Sequence, residues 1–215
     1  PENAIAHNNA ATVQAKRGEY DEAVDHLREA VRLEPQYEHA ANNLVRLLTV
    51  HAGRSDTPEI LQEVVSTFPD RADFRHALAE SLTARDRLEE AEQVLNDLLA
   101  RWRDDPTALH MLGIVYFRAG REDEGKECFQ RLESTSMDYH AHRLALARHF
   151  AEGERFEEAA HELKGYLDRV PDDPDAHLLR ADILIARGKS DAAVKLLQKL
   201  RSEYPENGSV LSHLA

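Results

Sequence analysis

The chain carries one cysteine, Cys128, in 215 residues, so no disulfide can close within it. That residue reads as a small apolar group half-buried on a helix rather than as a reactive thiol. Aromatics make up only 6% of the chain, and no run of 18 apolar residues occurs. Nothing in it therefore spans a membrane, and no basic-then-apolar leader marks it for export. The compartment stays open between the cytoplasm and a bacterial periplasm. Positive charge is also short: 27 Lys and Arg stand against 40 Asp and Glu, a net charge of −13. A fold this acidic repels phosphate backbones unless it carries a basic stripe, and none is present, which excludes nucleic acid as a partner. Gly-rich phosphate loops, HExxH, nucleophile elbows and paired-cysteine metal motifs are all missing. Nothing thus calls for a cofactor, a metal ion or catalysis. The twelve histidines lack carboxylates or cysteines at matched spacing. His140 and His142, two apart, fall on different sides of a helix.

What the chain does have is a repeat. Gly18 to Pro35 (GEYDEAVDHLREAVRLEP) is echoed from Arg87, Arg155 and Gly188. Ala23, Thr57, Ala91, Gly125, Ala159 and Ala193 stand 34 residues apart, as do Ala11, Val45, Ala79, Gly113, Ala147 and Ala181. A third column is large: Leu27, Leu61, Leu95, Phe129, Leu163 and Leu197. The period sets six units over 4–37, 38–71, 72–105, 106–139, 140–173 and 174–207, with a partial one over 208–215. Each unit reads as two amphipathic helices, with apolar residues at i, i+3, i+4 and i+7, as in Leu109, Leu112, Gly113 and Tyr116. Gly18, Gly120 and Gly188 supply the left-handed residue between them, and Pro35, Pro69, Pro171 and Pro205 close the second helix. Asp105-Pro106 and Asp173-Pro174 read as an N-cap and a first helical proline. Small residues belong where paired helices cross closely, and the large column fills the space between hairpins. In the second unit, Thr57-Pro58 reads as cap and first helical residue, which predicts a second helix starting about three residues late behind an exposed loop.

These columns, turn glycines and closing prolines resemble the tetratricopeptide repeat family over essentially the whole chain. The departures are local. The large aromatic that the family places early in the first helix is His7, Ala41, Arg75, Leu109, Arg143 and His177 here, and the closing proline is Arg103 and Met137 in the third and fourth units. The resemblance implies an all-α fold, a right-handed superhelix of helix pairs whose first helices line a concave groove. It also implies a non-catalytic scaffold or adaptor that binds a protein or peptide. The expected groove residues are Asn8, Thr12, His39, Asn42, Asn43, Arg46, His76, Glu80, His110, Ile114, Phe117, Arg118 and Arg148, followed by Asp175 and Asp182. Phe117 and Ile114 would anchor an apolar side chain while amide and Arg groups pair with backbone or acidic groups.

Two family precedents for peptide binding bear on this groove. The carboxylate clamp of chaperone-binding members fails, because the matching positions are Asn8, Thr12, Asn43, Asp73 and Ala77, and Asp73 has the wrong sign. The asparagine ladder of sugar-transferase arrays has two rungs of six, Asn9 and Asn43, in a column continued by Ala77, Met111, Ala145 and Leu179. A structural self-assembly module, and a regulatory segment of a larger protein, are the alternative functions. Pro1-Glu2-Asn3 sits in the register of Pro205-Glu206-Asn207, and Gly208 onward opens a seventh first helix, so the chain reads as a piece of a longer array. Val210, Leu211 and Leu214 are expected on the core face of that last helix, with weak homo-association through it.

Overall fold

The computed structural model describes residues 3–51, 53–135 and 140–212. Among the described residues there are thirteen helices and no strand. They divide into two compact units, one ending at Val115 and the other starting at Tyr116. The first unit holds α1 (Ala4–Arg17), α2 (Tyr20–Leu33), α3 (Glu38–Val50), α4 (Thr57–Thr67), α5 (Ala72–Ala84) and α6 (Leu88–Arg101), and most of α7 (Pro106–Arg118). The second holds the end of α7, then α8 (Glu122–Thr135), α9 (Ala141–Glu152), α10 (Phe156–Leu167), α11 (Pro174–Ala186), α12 (Ser190–Glu203) and the short α13 (Gly208–Ser212). Within the first unit α1 packs on α2, α2 on α3, α4 on α5 and α5 on α6. Within the second, α9 packs on α10, α10 on α11, α11 on α12 and α12 on α13.

The small columns are the crossing points. Ala23, Ala79, Ala91, Ala147, Ala159 and Ala181 are fully buried, and Ala11 and Ala193 almost so. Thr57 occupies the same column without an apolar side chain. Its buried hydroxyl donates to the Arg54 carbonyl at 2.9 Å, which removes the cost of an unpaired polar group. The large column is buried throughout, from Leu27 to Leu197.

Turn and cap chemistry recurs at the same period. Gly18, Gly120 and Gly188 adopt φ of 81°, 76° and 72°. In two other hairpins the equivalent residue is Asp86 (φ 60°) or Glu154 (φ 58°), side chains held in a left-handed conformation that glycine adopts without strain. Replacing either with glycine should therefore stabilise the protein by about 0.5–1 kcal/mol, more for Glu154→Gly because Asp tolerates this conformation better. Urea midpoints that fall rather than rise would show that the side chains compensate the strain. Side-chain N-caps recur in the same register, though Tyr37 and Arg71 take that position ahead of α3 and α5 without a cap bond. Asn3, Asp105, Asp173 and Asn207 each accept a backbone N–H of the first helical turn, from Ala6, Ala108, Ala176 and Val210. Burial raises the Asp173 carboxyl, but bonds from the Tyr166 hydroxyl and the N–H groups of Ala176 and Asp175 outweigh it and hold it below the usual range. Burial and the bond to Asp173 push Tyr166 up to about 12.

The second hairpin departs as its proline predicts. The other second helices start at Tyr20, Leu88, Glu122, Phe156 and Ser190, a register that reaches residue 54, yet α4 begins at Thr57. Pro58 sits in its first turn, where a missing N–H costs nothing. The expected cap is corrected: Asp56 holds the cap position, and the Thr57 hydroxyl donates backwards instead. The loop is also pinned rather than simply exposed. Arg54 bonds Asp56 at 3.0 and 3.1 Å and reaches Asp21 and Asp25, and Arg85 donates to its carbonyl.

At the far end Val210 is buried with Leu178, Ala181, Ala193, Leu197 and Leu200. Leu211, expected on the same face, is 45% exposed, because the turn of α13 that buries Val210 points its neighbour outward. Leu214 and Met137 lie outside the described residues.

Candidate functional site

The first-helix residues of the first unit form a connected polar face. Thr12 donates its hydroxyl to the Asn8 carbonyl at 3.0 Å within α1. Asn43 on α3 donates its amide to the Asn8 side-chain oxygen at 2.9 Å, and Arg46 donates to the Asn43 oxygen at 3.3 Å. The pairing joins Asn43 to Asn8, whereas the ladder register had put Asn9 beside it; Asn9 is exposed. Asn42 serves a junction: its oxygen accepts from Arg71 at 2.7 Å, while Arg71 also holds Asp73 and lies over the Phe74 ring at 4.1 Å. His39 is exposed. His76 is engaged elsewhere than expected, with Nε2 3.0 Å from the Asp105 carboxylate that caps α7. Glu80 is exposed, and His110 and Ile114 are half-buried.

Beside Asn43 and Arg46 the face opens into a cleft of about 380 Å³ between α1, α2 and α3. Its walls are Thr12, Lys16, Tyr20, Leu47, Val50 and His51, with Ala11, Ala15 and Leu27 deeper. Tyr20 and His51 stack with centroids 3.5 Å apart and planes at 17°. Val50 is 68% exposed at the rim. Lys16, Tyr20, Val50 and His51 were not among the sequence-predicted site residues. Tyr20 opens a second helix and His51 follows the end of α3, so a reading confined to first-helix faces passes over both.

Several cations elsewhere on the surface are paired with carboxylates. Arg28 meets Glu63, Arg87 meets Glu59 and Glu90, Arg155 meets Glu122 and Glu158, and Arg187 meets Glu157. Solvent screens such exposed pairs, so they add little to stability and mainly neutralise one another. Lys16 and Arg46 make no ion pair among the described residues. Both flank an apolar floor on a chain of net charge −13.

In the compact unit that starts at Tyr116 the expected site changes. Phe117 is 3% exposed, so it is not a groove anchor. It stacks on Phe129 at 5.7 Å and meets Phe150 edge-on at 6.0 Å, which makes it core. Arg118, Arg148, Asp175 and Asp182 are exposed. His142 is buried against Phe129, with Nε2 3.1 Å from Glu133. Burial pushes the Cys128 thiol up to about 11, so it stays protonated at neutral pH and is a poor nucleophile. Among the described residues no three His, Cys, Asp or Glu side chains come together to hold a metal ion, and no helix is long and apolar enough to cross a membrane.

Paired helices, buried small columns and left-handed turns at one period are matched by four sequence profiles described as tetratricopeptide repeat, over residues 4–37, 59–112, 107–135 and 144–208. The chain belongs to the tetratricopeptide repeat family. Proteins of this family are generally protein-interaction scaffolds. No curated protein matches this tetratricopeptide repeat chain in sequence. Solved structures share its fold at low identity. PilW, described as a widely conserved type IV pilus biogenesis factor, aligns at TM-score 0.71 and 19% identity over 99% of this chain and 98% of its own. A tetratricopeptide repeat protein from Parabacteroides merdae aligns at TM-score 0.71 and 18% identity over 93% and 79%. YrrB, described as a tetratricopeptide repeat protein with an unusual peptide-binding site, aligns at TM-score 0.60 and 19% identity over 87% and 93%.

Proposed function

We propose that this chain is a non-catalytic scaffold that binds an acidic peptide segment on the α1–α3 face of its first unit. The observation that carries the reading is the cleft where Lys16 and Arg46, free of ion pairs among the described residues, flank Tyr20, Leu47 and Val50. An Asp or Glu side chain would bond the cations, and a neighbouring apolar side chain would cover Val50 and the Tyr20 ring. Asn8 and Asn43 already satisfy each other, so they orient Arg46 more than they contact a ligand. The binding function of YrrB gives a precedent for peptide capture on this fold, though not for this cleft.

Selection from a displayed library of random peptides tests the proposal. Wild-type protein should enrich sequences with one or two acidic residues next to a large apolar one, and a Lys16→Glu, Arg46→Glu double variant should lose that enrichment. Equal enrichment by both proteins would place binding on another surface.

A further inference from the structure

The rings of Tyr20 and His51 stand face to face across the ends of α2 and α3, with centroids 3.5 Å apart and planes at 17°. No other hairpin places two rings at that register, where the pairs are Arg54 with Arg85, Leu88 with Ala119, Glu122 with Gly153 and Phe156 with Arg187. The repeat therefore builds its hairpins without the stack, which leaves the two rings free to serve the cleft they line.

Both rings are set in place before a ligand arrives. Gly18 turns the chain at φ 81° with its N–H on the Ala15 carbonyl, and α2 starts at Tyr20. His51 ends α3 with its own N–H 2.9 Å from the Leu47 carbonyl. Neither the Tyr20 hydroxyl nor a His51 ring nitrogen makes a hydrogen bond among the described residues. An aromatic side chain gains ring–ring contact with such a pair beyond the burial of its area, the electron-poor edge of one ring meeting the face of another. Lys16 and Arg46, which line the same cleft, also favour a ring, because a cation is drawn to its face. A saturated side chain of equal size gains the burial alone.

We infer that the acidic segment carries Phe, Tyr or Trp beside its acid, and that Tyr20 and His51 select that residue over an aliphatic one. Selection of this kind rests on the proposed capture of the acid by Lys16 and Arg46. Leu47 and Val50 give apolar contact to either kind of side chain, so discrimination falls to the two rings.

The test uses the full chain and labelled peptides in one Gly-Ser frame, carrying Asp-Phe-Asp, Asp-cyclohexylalanine-Asp or Asn-Phe-Asn, with affinity read by fluorescence anisotropy. Cyclohexylalanine keeps the size and apolarity of Phe and removes its π face. Wild type should bind Asp-Phe-Asp about three- to tenfold tighter than the cyclohexyl peptide. Tyr20→Leu and His51→Leu should each bring the two affinities together. The ratio is taken within one protein, so a general loss of stability does not imitate that result. Equal wild-type affinity for these two peptides, both weakened by Lys16→Glu with Arg46→Glu, would overturn the aromatic preference and leave the capture of an acid standing. An undiminished ratio in both Leu variants would take the selection away from Tyr20 and His51. Equal affinity for Asp-Phe-Asp and Asn-Phe-Asn, or no saturable binding of Asp-Phe-Asp, would instead sink the acidic site and the aromatic preference built on it.

Discussion

Phe117→Ala is expected to lower stability by about 3–5 kcal/mol, the cost of emptying a well-packed aromatic site. The ring is almost completely buried and contacts Phe129 and Phe150 while His149 meets its edge at 5.2 Å. Its loss removes transfer energy and leaves a cavity whose lining is itself aromatic and therefore slow to collapse. A solvent-facing groove anchor behaves differently: truncating it would change stability by no more than about 0.5 kcal/mol while weakening ligand binding. Urea denaturation of the single variant separates the two roles. A midpoint close to wild type would return Phe117 to the binding face.

The second large effect belongs to the small columns. Ala193 on α12 is buried in one cluster with Ala181 on α11, and Leu178, Leu197 and Val210 enclose them. Adding three carbons at that crossing must either rotate a side chain into an unfavourable rotamer or push the helices apart, at about 1–3 kcal/mol or more. Ala159→Leu on α10 faces the same constraint, because Ala147 on its partner α9 is also fully buried. Lys195→Ala, on the exposed side of α12, should stay within about 0.5 kcal/mol. If the Leu variants and the Lys variant unfold at the same urea concentration, the crossings do not lie at these columns.

The reason so much of the fold is legible in the chain is that its information repeats. A buried alanine is ambiguous once, but alanine, glycine or a single hydrogen-bonded threonine every 34 residues is not. The late start of α4 was readable because Pro58 tolerates only the first turn of a helix. Side-chain partners were not readable, because they depend on contacts between residues far apart in sequence. His76 finds Asp105 across 29 positions, and Asn43 finds Asn8 across 35. Phe117 was misplaced for a different reason. Its helix buries Ala108, Leu109, Leu112, Val115 and Phe117, a set that wraps most of the circumference, so periodicity names no outer face. The cleft was missed because Tyr20 and His51 enter it from the ends of helices, where no face pattern applies.

The proposed capture of an acidic segment by Lys16 and Arg46 in the α1–α3 cleft has a direct test. Fluorescence anisotropy with a labelled peptide taken from the library selection measures it directly. Lys16→Glu with Arg46→Glu should weaken binding by at least about tenfold, since reversed charges now repel the ligand, and raised salt should weaken wild-type binding. The melting temperature should move by no more than a few degrees, because neither cation takes part in an ion pair among the described residues. Unchanged affinity in the folded double variant would move the binding site away from this cleft.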